Sequence, residues 1–196
     1  MQQKTPRPVA SFKATRAGSE FLGGHSDHNN IILNIQTLAS ALRAGDTVSV
    51  GPRQQRELTL DYILPILRDV LPLDDDERIA SLAAPFVFCY HWLSFTGRKF
   101  GVSRRYPVVI LQNLIRMCFG LNHGDIPLDA VLTGLIAQEF EVDRKKVDGF
   151  GLIWVTNIRS EAHVGFDQHG ISRKVPLNKL GMPGSLPPIL IGEPPR

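Results

Sequence analysis

Apolar residues recur three or four positions apart over most of the middle of the chain, which is the spacing of one face of a helix. The segment 128–136 follows this pattern closely, and Pro127 before it suits the first turn of a helix. The three acids at 74–76 suit another helix start, because a helix N-terminus favours negative charge. The pattern predicts helices over 31–42, 57–73, 74–95, 106–118 and 128–136.

Prolines modify two of these predicted helices. Pro65 lies inside 57–73, where its missing backbone donor and its clash with the preceding turn predict a kink or a split. After Pro85 the next helix is almost entirely apolar. Residues 82–95 are therefore predicted to form the most buried helix of the protein.

Strand-like composition is confined to regions near the two ends. Residues 9–15 and 46–50 are strand candidates, and 152–158 with 171–177 predict a hairpin. The predicted fold class is α+β, mainly α-helical, with a central helical core, small β elements near both ends and winged-helix-like features. Residues 1–180 are predicted to form a single globular domain. They are followed by a Pro- and Gly-rich extended tail, 181–196, that adds little to the core.

The composition narrows the class of protein. The chain has 196 residues, of which 43% are hydrophobic and 21% charged, and these values are ordinary for a soluble globular protein. No apolar run approaches the roughly 20 residues that cross a bilayer, and the first residues lack the apolar core of a signal peptide. We therefore expect a cytoplasmic protein with no membrane partner. Cys89 and Cys118 lie in apolar surroundings and are expected to be buried thiols.

The distribution of charge says more than its sum. A formal net charge of +3 and a pI of about 9.0 permit a nucleic-acid partner without requiring one. The stretch 98–105, RKFGVSRR, contains four basic residues and no acid. A second basic cluster, at 144–146, lies within the stretch 136–150, in which small and apolar residues are spaced as in a known DNA-binding motif.

That stretch, 136–150, reads IAQEFEVDRKKVDGF. Ala137 is a small residue where two helices would touch, and Val142 and Val147 would pack a corner and a second helix. Over 132–151 the spacing resembles the helix-turn-helix family of DNA-binding proteins. The resemblance implies contacts to a DNA groove or its phosphates from Arg144, Lys145 and Lys146. A short helical corner that leads into a strand is the alternative interpretation.

A second resemblance covers residues 97–115, GRKFGVSRRYPVVILQNLI. Gly101 suits a left-handed turn, Ser103 can cap the next helix, and Pro107 suits its first turn. The stretch resembles the turn and second helix of winged-helix modules, and is similar to the C-terminal RNA-binding repeats of the selenocysteine-specific elongation factor. The surface that we predict to bind nucleic acid here consists of Arg98, Lys99, Ser103, Arg104 and Arg105. The alternative is a solvated basic loop between two core helices.

The sequence carries little sign of catalytic or metal chemistry. Two groups contain potential metal ligands, namely His25, Asp27 and His28, and His163, Asp167 and His169, but neither matches a known site spacing. His91 is expected to be a satisfied core histidine. Phosphate-binding loops and a nucleophile elbow are absent from the sequence, so we predict no catalytic residue, no metal and no cofactor.

Three hypotheses of function follow. The leading one is a non-enzymatic, regulatory nucleic-acid-binding protein that favours DNA. The second is a non-catalytic protein-interaction or assembly component, which would use the C-terminal tail and exposed apolar helix faces. The third is an enzyme of an unrecognised family. The sequence leaves open the target, the choice between DNA and RNA, and the oligomeric state.

Overall fold

The structure is a computed structural model that describes residues 7–8, 28–52, 56–72, 75–98, 105–166, 172–183, 185–187 and 189–192. Its helices are α1 (His28–Arg43), α2 (Leu60–Val70), α3 (Asp76–Ser81), α4 (Ala83–Leu93), α5 (Val108–Cys118), α6 (Leu128–Ala137) and α7 (Leu177–Leu180). Its strands are β1 (Arg7–Pro8), β2 (Thr47–Val50), β3 (Arg56–Leu58), β4 (Thr96–Arg98), β5 (Tyr106–Pro107), β6 (Val142–Val147), β7 (Gly151–Thr156), β8 (Ile158–Phe166), β9 (Ser172–Pro176) and β10 (Leu190–Gly192).

The strands form three small antiparallel sheets, with the orders β1-β10-β2-β3, β4-β8-β9 and β5-β7-β6. Of the described residues, 46% are helical and 28% lie in strands, so the fold is mixed and the prediction of a mainly α-helical class is wrong. The reason lies between 142 and 166, where the sequence pattern predicted a helical corner and one strand. This region instead forms three strands, each paired with a neighbour.

Helix α4 is the centre of the core, and every one of its residues is buried. This confirms the prediction for residues 82–95. The helix packs closely on α6 at Gly134. A Cβ atom added at Gly134 would lie only 3.2 Å from the Cβ of Cys89, so this position has no room for a larger residue without movement. Burial raises the pKa of the Cys89 thiol far above its usual range and that of Cys118 to about 12. Both thiols are free and buried, as predicted.

The two prolines have different effects on the predicted helices. Helix α2 is continuous through Pro65, whose side chain is exposed, so the helix is not split there, and the alternative of a kink stays a prediction. The predicted helix 74–95 is instead divided into α3 and α4, since Pro85 has no N–H to continue a helix from Ser81. Pro85 is the third residue of α4, where a backbone donor has no partner within the helix. The acid run does begin a helix, because the side chain of Asp75 caps α3.

Strand predictions near the two ends have mixed outcomes. Strand β2 confirms the prediction for 46–50, whereas 9–15 lies outside the described residues. The predicted pairing of 152–158 with 171–177 is wrong, because β9 pairs with β8 instead. Most of that segment is β7, which belongs to another sheet.

The C-terminal segment is part of the core, and the expectation that it adds little is wrong. Strand β10 lies inside the first sheet, where Ile191 pairs with Val48 of β2 on one side and with Arg7 of β1 on the other. The side chains of Leu186, Ile189 and Ile191 are buried. The prediction relied on the Pro and Gly content, which indicates an extended chain. An extended chain whose alternate side chains are buried can also pair as a strand, and β10 does so.

His91 joins this segment to the rest of the core. Its Nδ1 accepts a hydrogen bond from the Gly51 N–H at 3.0 Å, so the ring proton lies on Nε2, 3.0 Å from the Pro187 carbonyl oxygen. The adjacent Trp92 indole donates to the Leu180 carbonyl oxygen at 3.2 Å. With both ring nitrogens bonded, His91 is the satisfied core histidine that the sequence predicted.

We expect Ile191→Ala to lower the free energy of unfolding by about 2–4 kcal/mol, because it removes buried methyl groups and leaves a cavity in the core. Urea denaturation measures this change. The control is Met182→Ala, since Met182 is a neighbouring apolar residue with an exposed side chain. Equal, small effects of the two changes would show that β10 is not packed as described.

We also expect an acid-dependent loss of stability that originates at His91. Burial lowers the pKa of His91 from 6.5 to about 4, so between these pH values the unfolded chain binds more protons than the folded one. The contribution of His91 to stability is therefore fully present above pH 6.5. It is lost as the pH falls towards 4, by at most about 3 kcal/mol.

The measurement is urea unfolding between pH 4 and pH 7.5 for wild type and His91→Gln. The difference in unfolding free energy between the two should shrink as the pH falls. The matched control, His123→Gln, changes an exposed imidazole. A His91→Gln curve that runs parallel to wild type at all pH values would contradict the buried neutral imidazole.

Candidate nucleic-acid interface

The helix that was expected to enter DNA is a strand. Helix α6 ends at Ala137, and Glu139 then adopts a left-handed backbone conformation with φ of 58°. The N–H groups of Glu139 and Phe140 bond back to the carbonyl oxygens of Ile136 and Leu135. This is the Schellman arrangement, with glutamate in the position that glycine usually occupies. It reverses the chain, and residues 142–147 continue as β6, so the helix-turn-helix interpretation is wrong.

Strands β6 and β7 form a hairpin with a three-residue loop, 148–150, between the paired residues Val147 and Gly151. Gly149 has φ of 79°, a left-handed conformation that three-residue hairpin loops commonly require. The Phe150 N–H donates to the Val147 carbonyl oxygen at 3.0 Å. The dipeptide Asp148-Gly149 was the sequence signal for this turn.

The three basic residues of β6 are all exposed and stand on alternate faces of the hairpin. Arg144 pairs with Trp154 and Lys146 with Leu152 on one face, while Lys145 pairs with Ile153 on the other. The Arg144 guanidinium carbon lies 4.4 Å from the centre of the Trp154 ring. This is a cation–π contact, which holds the arginine over the strand while its edge remains accessible.

The tip of the hairpin is apolar and exposed. Phe150 is 81% exposed and Leu152 is 62% exposed. The root of the hairpin is buried instead, at Phe140, Val155 and Thr156. The Asn157 side-chain oxygen accepts from the Glu141 N–H at 3.0 Å and ties the two strands together at this end. A fixed root therefore carries a tip that presents an aromatic ring to the surroundings.

The other predicted basic stretch is 98–105. Its two described basic residues, Arg98 and Arg105, both form ion pairs. Arg98 lies 2.8 Å from a carboxylate oxygen of Glu139, and Arg105 lies 3.5 Å from Glu141 and 3.4 Å from Asp143. These carboxylates come from the segment that leads into and begins β6. The structure thus brings the two predicted stretches together, but it leaves Arg98 and Arg105 partly neutralised.

Three further predicted residues, Lys99, Ser103 and Arg104, lie outside the described residues. Helix α5 begins at Val108 with Pro107 as its N-cap and no side-chain cap bond. The helix therefore begins later than predicted, and the predicted capping role of Ser103 lies outside the described residues. Tyr106 and Pro107 pair with β7 as β5, which delays the helix start.

The described residues contain no group of three His, Cys, Asp or Glu side chains that could hold a metal ion. Both predicted ligand groups include residues outside this set, since 25, 27, 167 and 169 are not described. No helix in the described part of the chain is both long enough and apolar enough to cross a membrane.

Comparisons of the chain with protein-family models, with curated proteins and with solved structures find no match.

Proposed function

We propose that this protein binds nucleic acid, and that the β6–β7 hairpin is its binding element. The observation that carries the proposal is the state of Arg144, Lys145 and Lys146. All three are exposed on consecutive residues of one strand, and none forms an ion pair with another described residue. Exposed cations of this kind supply the phosphate contacts that dominate affinity for nucleic acid.

Nearby acids oppose this role less than the sequence suggests. Asp143 precedes the three cations and would repel phosphate, but Arg105 lies 3.4 Å from its carboxylate. Glu141 shares the same arginine at 3.5 Å. Arg105 therefore acts as a counter-ion for the acids at the start of β6. With Asp148 in the hairpin loop there are three acids against four basic side chains, so the ribbon and Arg105 together keep a small positive excess.

The shape of the hairpin also supports the proposal. A two-stranded β-ribbon fits the major groove of B-DNA, and several DNA-binding proteins read a groove with strands. The exposed Phe150 ring offers a stacking surface for an unpaired base, which is the usual device of proteins that bind single strands. The proposal thus covers duplex DNA, single-stranded DNA and RNA. DNA is the favoured ligand, as in the prediction of a regulatory DNA-binding protein.

The test is a binding titration with a variant that removes three charges from the hairpin, Arg144→Gln, Lys145→Gln and Lys146→Gln. Fluorescence anisotropy with labelled duplex DNA, single-stranded DNA and RNA, each at several salt concentrations, gives the affinity and its salt slope. We expect wild type to bind at low salt. The variant should lose most of this affinity, and its salt slope should fall by up to about 3, since each cation that neutralises a phosphate adds about 1 to the slope.

A charge-matched control removes three exposed cations elsewhere that form no ion pair with a described residue, with Arg43→Gln, Lys174→Gln and Lys179→Gln. It lowers the net charge equally, so it should retain most of the affinity if the hairpin is the binding element. Equal losses in the two variants would show that only net charge matters. Wild-type protein that binds none of the three nucleic acids at low salt would rule the proposal out.

A second candidate function, as an assembly component, is supported by the outward side of α5. Val109, Ile110 and Met117 are 53%, 41% and 53% exposed on this helix, while its opposite side packs into the core. The three side chains lie on one side of the helix, and contiguous apolar patches on a protein surface mark sites of protein interaction. The titration separates the two candidates, because an apolar face gives no salt-dependent affinity for nucleic acid.

A further inference from the structure

The two faces of the β6–β7 hairpin differ in charge and in polarity. Residues paired directly across two strands share a face, and successive residues of one strand alternate between faces. One face, which we call the Arg144 face, consists of the pairs Arg144–Trp154 and Lys146–Leu152. These two pairs combine two cations with an indole ring and an aliphatic side chain, and they contain no acid.

The opposite face carries the acid of β6. Asp143 and Lys145 share this face, since they alternate with the residues of the Arg144 face. Arg105 lies within 3.5 Å of both Asp143 and Glu141, so two cations and two acids balance there. On the Arg144 face the two strands place no acid against the positive charge. A chain of phosphates is therefore attracted more strongly to the Arg144 face.

Arg144 can contact a base as well as a phosphate. Its guanidinium carbon lies 4.4 Å from the centre of the Trp154 ring, and this cation–π contact restrains the side chain. Because Arg144 is exposed, the side of the guanidinium turned away from the indole is accessible. Unpaired bases stack on arginine planes as well as on aromatic rings.

The end of the Arg144 face nearest the loop is apolar. Leu152 is 62% exposed, and Phe150, two residues away in the loop, is 81% exposed. Neither side chain has a hydrogen-bonding group, so each is stabilised only by contact with another apolar surface. The face of an unpaired base is such a surface, and every base has one.

A duplex matches this combination of groups less well. Its base faces are stacked on one another, so a protein in a groove meets only the polar edges of the bases and the phosphates. Arg144 and Lys146 could donate to these edges. Leu152, Trp154 and the exposed Phe150 ring would instead lie against groups that need hydrogen bonds.

We infer that the ligand of the hairpin is single-stranded nucleic acid, with phosphates at Arg144 and Lys146 and a base stacked on Phe150. This inference rests on the proposed function, because it concerns the ligand of the same hairpin. Single-stranded DNA and single-stranded RNA both supply an unpaired base beside a phosphate, and the experiment includes both.

The experiment measures binding of the full chain to one sequence in three forms, namely single-stranded DNA, single-stranded RNA and duplex DNA. Fluorescence anisotropy at physiological salt gives a Kd for each form. We expect both single strands to bind at least about tenfold more tightly than the duplex, because only they offer base faces to the apolar end of the hairpin.

Phe150→Ala is the decisive variant, because a ring that is 81% exposed adds little to folding. It should weaken single-strand binding by about fivefold or more and leave duplex binding nearly unchanged. Its salt slope should equal that of wild type, since no charge is removed. Phe150→Tyr keeps an aromatic ring and should retain the affinity. The matched control, Tyr62→Ala, removes another exposed aromatic side chain and should leave binding unchanged.

A second pair of variants tests which face the phosphates contact. Lys146→Gln and Lys145→Gln remove the same charge from neighbouring residues on opposite faces. We expect Lys146→Gln to lower the salt slope for single strands by about 0.7, the value for one phosphate contact, and Lys145→Gln to lower it less. Thermal melts of both variants should match wild type, because both side chains are exposed.

Failure of this inference differs from failure of the proposed function. A duplex that binds as tightly as the single strands, or single-strand binding that survives Phe150→Ala, would overturn the inference. Equal salt slopes for Lys145→Gln and Lys146→Gln would overturn the placement of phosphates on the Arg144 face. In these cases a loss of affinity in the triple variant of 144–146 would still support the hairpin as the binding element. Wild-type protein that binds none of the three forms would overturn both.

Discussion

The structure depends on one helix, α4, that is buried on every side and contains an imidazole. A polar ring at the centre of a core is tolerated only if its nitrogens are hydrogen-bonded. Gly51 supplies the donor and Pro187 the acceptor, so His91 fixes both the chain after β2 and the C-terminal segment on the same helix. The Trp92 indole does the same for the end of α7. These bonds place β10 beside β2, and the first sheet follows from that placement.

The sequence predicted the parts of the fold that depend on local pattern. The all-apolar stretch after Pro85 identified the buried helix, and the periodic segment 128–136 identified α6. The two main failures have different causes. Strand β10 has an ordinary extended composition, and it becomes a strand by pairing with β2, more than 130 residues earlier. The failure at β6 is local, because the spacing of Val142 and Val147 fits a helical corner and the left-handed turn at Glu139 instead directs the chain into a hairpin.

The predicted basic residues of the candidate interface lie in a different geometry from the predicted one, and their contact with nucleic acid stays a prediction. Arg144, Lys145 and Lys146 were identified from their charge, but they lie on a strand and not on a helix. Phe150 was missed because no pattern marked it, although the Asp148-Gly149 dipeptide beside it marked a turn. The sequence predicted that Arg105 contacts phosphate, whereas its contacts are Glu141 and Asp143. Charge counts cannot distinguish a free cation from a paired one, and that distinction decides which cations remain for phosphate.

The β6–β7 hairpin is proposed to be the element that binds nucleic acid. The most direct test of this proposal is a map of backbone amide shifts in ¹⁵N-labelled protein, recorded during titration with the oligonucleotide that binds best. We expect the largest shifts to fall on residues 142–156, with those of Lys145, Lys146 and Phe150 among them, while the amides of α4 stay unchanged. Saturable shifts that concentrate on α5 or on the first sheet and spare 142–156 would contradict the claim.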